Sequence, residues 1–104
     1  VGLVDVSAND LQGASDQYIS GILQGNNYLR AEGRYQRTRL AGRNALARRL
    51  SGTSRITNQK EIVDVYTTLL DNRQLLYVVQ VAPANVRGQY NRAFENMIRS
   101  LTLN

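Results

Sequence analysis

The 104-residue chain contains no cysteine and no histidine. The first absence removes disulfides, thiolate metal sites and thiol nucleophiles, and leaves the redox compartment open. The second removes the commonest general base and the commonest zinc ligand. No run approaches the apolar length that crosses a bilayer, and no signal-like start is present. Gly33 and Gly42 belong to no phosphate loop, because neither GxxxxGK(S/T) nor GxGxxG occurs. Asp5, Asp10 and Asp16 lack the alternating oxygen ligands and central glycine of a calcium loop, and read as cap and surface residues.

What is present suits one domain, with a core large enough to hold without metal or disulfide. The formal net charge is +5, and of thirteen basic residues all but Lys60 are arginine. Such a surface attracts anions weakly but says nothing about fold. The chain starts at Val1 inside a strand-like run, without an initiator Met, and reads as a piece cut from a longer protein.

Along the chain, "VGLVDVS" reads as a short strand. "ANDLQGASDQYISGILQGNN" then shifts to helical period. Leu11, Ser15, Tyr18 and Ile22 fall on one line, with Ala14, Ile19 and Leu23 beside it. Asn9 or Asp10 can cap its start, and Gly25 with Asn26 can take a left-handed turn at its end. Residues 28–40 read as a strand and Ala41-Gly42 as a turn. Residues 44–53 read as a returning strand, with a helix over 43–50 as the rival. Residues 51–60 are predicted as a mobile loop.

The strongest signal is "EIVDVYTTLLDNRQLLYVVQVA", residues 61–82. Two β-branched and aromatic runs flank a turn at residues 71–74. Both faces are mainly apolar, so this hairpin is expected at the sheet centre, covered on both sides. Pairing Leu70 with Leu75 places Tyr66 and Tyr77 on one face. Asp64 with these two phenols is then a weak acid/base candidate, more simply read as a rim carboxylate beside core tyrosines. Pro83 ends the strand. "NVRGQYNRAFENMIRSL" is predicted as a second amphipathic helix, burying Val86, Tyr90, Phe94, Met97 and Leu101.

Six arginines crowd residues 34–49: Arg34, Arg37, Arg39, Arg43, Arg48 and Arg49. A three-residue turn pairing Leu40 with Asn44 would align Tyr35, Arg37, Arg39 and Arg49 on one face. That basic, partly aromatic ribbon would suit an anionic or acidic protein partner. A two-residue turn would scatter the arginines over both faces. The plainer alternative is a solvated strand pair whose arginine stems cover apolar surface and whose charges guard an edge. Nucleic acid is the least favoured partner, since no recognised nucleic-acid motif occurs.

The run "VDVYTTLLDNRQLLYVVQVAP" (63–83), followed by "YNRAFENMIRSLTL" (90–103), resembles the C-terminal domain of some bacterial zinc metallopeptidases. These are peptidases of the CAAX prenyl protease and HtpX-like family. "LAGRNALARRLSG" (40–52) fits the turn and strand that precede this pair. The resemblance implies a PsbP-like α+β fold: an antiparallel sheet of four to five strands with two amphipathic helices packed on it. Residues 1–104 would form a single accessory domain. In such proteins a catalytic domain upstream carries HExxH and binds zinc. None of that site transfers, so this chain itself is expected to hold no cofactor and no catalytic residue. The implied setting is extracytoplasmic, with the parent peptidase domain, a substrate or another protein as partner. A stand-alone binding domain using the arginine segment is the rival reading.

Overall fold

The computed structural model describes residues 1–70, 73–83, 92 and 96. Its one described helix, α1 (Leu11–Gly25), starts where the Asp10 carboxylate accepts the Gly13 N–H at 3.1 Å. This satisfies one of the amides that a helix start leaves open. The helix buries Ala14, Ser15 and Ile19, and Tyr18, Ile22 and Leu23 flank that stripe. Its end departs from expectation. Asn26 lies at φ −137°, outside the left-handed region, and its side-chain amide donates to the Ile22 carbonyl at 2.9 Å. An amide side chain, rather than a left-handed residue, therefore closes the last turn.

The strands are β1 (Gly2–Asp5), β2 (Arg30–Leu40), β3 (Arg43–Thr53), β4 (Lys60–Leu69) and β5 (Gln74–Pro83). They form one antiparallel sheet in the order β1-β5-β4-β3-β2. The result is α+β: β2–β5 form a four-stranded meander, β1 adds beside β5, and the two edges are the short β1 and the long β2. Residues 43–50 are strand, as preferred over the helical alternative.

β4 and β5 sit at the centre, and both faces of the pair are buried. On one face Leu50, Val63 and Val65 meet Ile19 of α1, while Leu75 meets Ala14 and Val6. Ser15 and Thr67 share a buried hydrogen bond of 2.6 Å that ties the helix to β4. On the opposite face Leu40, Ala45, Leu76 and Val78 cluster with Tyr66 and Leu70. Leu40, Leu50 and Leu75 are completely buried, and each contributes about 1.5–3 kcal/mol by leaving water.

The register of β4–β5 differs by one residue from the predicted pairing. Leu69 faces Leu75, and the Leu70 amide bonds the Gln74 carbonyl at 2.7 Å. Three residues thus separate the bonded pair Leu70 and Gln74, and the last of them, Arg73, is left-handed at φ 59°. Because side chains alternate, this one-residue slip moves Tyr66 and Tyr77 to opposite faces.

Residues 54–59 form a compact turn in which the Ser54 hydroxyl accepts the Ile56 and Thr57 amides. The second helix expected over residues 85–101 falls outside the described residues, apart from Arg92 and Asn96, both exposed. No described helix is long and apolar enough to cross a membrane.

Candidate functional site: the arginine hairpin

The β2–β3 hairpin turns through Ala41 (φ 54°) and Gly42 (φ 76°), both left-handed. Two positive φ angles define the primed two-residue turn whose twist matches paired strands. Leu40 therefore faces Arg43, and Arg39 faces Asn44. Gly42 has no Cβ to oppose its angle, whereas Ala41 carries a steric cost.

This register divides the arginine segment. Arg37 lies opposite Leu46 and Arg39 opposite Asn44, on the face that bears α1. Tyr35 is on the same side and packs against the cluster of Ile19, Leu50 and Val65. Arg49 projects from the other face, opposite Asp64. The two-residue turn thus gathers Tyr35, Arg37 and Arg39 and sends Arg49 away from them.

A bulge enters β2 between Glu32 and Gln36, where four steps along β2 match two along β3. Gly33, at φ 67°, supplies the left-handed residue that the bulge requires. The bulge aims Tyr35 at the helix, and its hydroxyl donates to Asp16 Oδ1 at 2.6 Å. The Arg48 guanidinium stacks 4.9 Å from the Tyr35 ring centre, and its Nη2 donates to the Gly33 carbonyl at 3.3 Å. Burial, with the Asp16 carboxylate adding to it, pushes the Tyr35 phenol up to about 12; Arg48 opposes this weakly. The phenol stays neutral across the physiological range and acts as a fixed donor, not a base. Arg48 Nε is buried and has no hydrogen-bond partner among the described residues.

On the opposite face the bulge leaves a cleft of about 450 Å³, lined by Glu32, Arg34, Gln36, Ala47, Arg49, Asp64 and Tyr66 among others. Its floor is low because small Ala47 lies between Gln36 and Tyr66. Inside it Arg49 holds Asp64 with two hydrogen bonds, Nε to Oδ1 at 2.8 Å and Nη2 to Oδ2 at 3.3 Å. Glu32 accepts from Ser51 at 2.5 Å and lies 3.9 Å from Lys60. Within the cleft, Arg49 and Asp64 satisfy each other, and Glu32 is answered by Ser51 and Lys60. The exposed cations Arg34, Arg37, Arg39 and Arg43 stand around the free edge and the turn.

The weak acid/base candidate does not assemble. Tyr77 faces Thr67 and its ring lies 4.5 Å from that of Tyr18, on the helix side, while Asp64 is bound to Arg49 across the sheet. Among the described residues no three carboxylates gather as metal ligands would. Sequence reasoning missed Arg48 and Asp16 as partners of Tyr35. Gly33 inside a strand was the available sign of a bulge. No known family model matches the chain, and no curated protein sequence matches it.

Proposed function

We propose that this chain is a non-catalytic interaction domain that docks an acidic protein surface through the arginine-bearing β2–β3 hairpin. One observation carries this reading: Arg37 and Arg39 stand exposed on an edge strand, and neither has an ion-pair partner among the described residues. The part-buried pair of Arg49 and Asp64 ties β3 to β4 instead of offering charge. The likeness of residues 63–83 and 90–103 to a zinc peptidase appendage supports placing the domain, PsbP-like in fold, beside an extracytoplasmic catalytic domain. There it would position substrate or hold the parent against another protein.

Retention on immobilised polyaspartate tests the docking. The chain should bind at low salt and elute as salt rises, and the Arg37→Gln/Arg39→Gln variant should elute earlier. Passage of the wild type without retention would refute the acidic-partner reading. An HExxH segment encoded upstream would support the peptidase setting, and a complete upstream sequence without one would remove it.

A further inference from the structure

The free edge of β2 offers backbone as well as charge, and the hairpin turn decides which residues offer it. In a two-residue primed hairpin, the residues flanking the turn exchange both of their backbone hydrogen bonds. Here that pair is Leu40 and Arg43. Antiparallel ladders alternate bonded and non-bonded pairs, so Thr38–Ala45 and Gln36–Ala47 bond inward. Arg37–Leu46 and Arg39–Asn44 are the non-bonded pairs. The N–H and C=O groups of Arg37 and Arg39 therefore point away from β3. β2 ends the sheet, and no described residue pairs with that side.

The same two residues carry the exposed guanidinium groups, and both project to one face because they are two apart. We infer that β2, over Gln36–Leu40, accepts an extended acidic segment of a partner as a sixth strand. That strand would bond the backbone of Arg37 and Arg39, and its acidic side chains at alternate positions would lie beside the two guanidinium groups. The inference rests on the acidic-partner reading above and specifies its geometry.

Three features set the occupant. The bulge at Gly33–Tyr35 breaks the ladder on one side and the turn closes it on the other, so about five residues fit between them. Alternation of side chains requires acids at positions p and p+2, since adjacent acids would put one on the wrong face. A second copy of β2 is disfavoured, because antiparallel self-pairing sets arginine against arginine. Edge arginines thus repel like strands while leaving the edge open to acidic ones.

Amide hydrogen exchange on the whole chain, followed by NMR, tests the inference. The probe is a nine-residue peptide alternating glutamate and threonine. Two controls are used: the same composition with glutamates adjacent, and the alternating peptide N-methylated at its glutamates. At saturating alternating peptide, exchange at the Arg37 and Arg39 amides should slow by about tenfold or more. Thr38 and Leu40, already bonded to β3, should change little. The N-methylated peptide should give no such protection. Binding without protection of Arg37 and Arg39, or equal protection by heparin, would overturn strand addition while leaving an acid-binding surface. No binding of any acidic peptide at low salt would overturn both readings.

Discussion

Arg49 and Asp64 face each other across β3 and β4, and two guanidinium nitrogens hold both carboxylate oxygens, at 2.8 and 3.3 Å. Their side chains are 31% and 15% exposed, so most of the pair is shielded from water. Removing one partner strands the other in the cleft wall. Arg49→Ala should cost about 1.5–3 kcal/mol in urea unfolding. The double variant with Asp64→Ala should cost clearly less than the sum of the two single losses. Additive losses would show that the two groups do not interact.

Arg73 is an exposed residue at φ 59°, and its backbone carbonyl accepts the Val6 amide at 2.9 Å. Glycine adopts that angle without a Cβ clash and leaves the carbonyl in place. Arg73→Gly should therefore stabilise the chain by about 0.5–1 kcal/mol, read as a raised melting temperature. A lowered melting temperature would mean that the arginine side chain contributes more than its backbone angle costs.

This turn also marks where the sequence stopped informing. The central place of residues 61–82 followed from apolar side chains on both alternating faces, and the helix over 11–25 from its period and the Asp10 cap. Register was less accessible, because it depends on the left-handed angles of Ala41 and Arg73. Neither residue type favours such an angle, so no local signal announced it. The consequence fell on the candidate sites: Arg49 left the predicted ribbon, and Tyr66 parted from Tyr77. The bulge that aims Tyr35 at Asp16 was signalled only by Gly33.

Ser15 and Thr67 join α1 to β4 by a hydrogen bond that water does not reach. Deleting one hydroxyl leaves the other short of a partner, although Thr67 keeps a 3.4 Å contact with the Leu46 carbonyl. Thr67→Val should cost about 1–2 kcal/mol, and adding Ser15→Ala should recover part of that loss. Chemical denaturation of the three variants checks this. A double variant weaker than either single one would contradict it.

Tyr18 and Tyr35 both have phenols pushed up to about 12, chiefly by burial. A proton held more tightly in the folded chain stabilises it fully below the ordinary tyrosine range near 10. That contribution fades as pH rises from about 10 to about 12, so alkaline unfolding should set in across this window. Tyrosinate absorbance should show a late-titrating fraction that Tyr35→Phe reduces. A single transition near 10 for every tyrosine in the folded chain would count against the placement of both phenols.

The role of the hairpin arginines is tested most directly by exchanging their charge. Isothermal titration of the wild type and of Arg37→Glu/Arg39→Glu would use matched polyglutamate and polylysine peptides at low salt. The wild type should bind polyglutamate in preference, and the variant should lose that binding by about tenfold or more and turn toward polylysine. Equal affinity of wild type and variant for polyglutamate would place the acid-binding surface elsewhere on the chain and contradict the docking role given to β2.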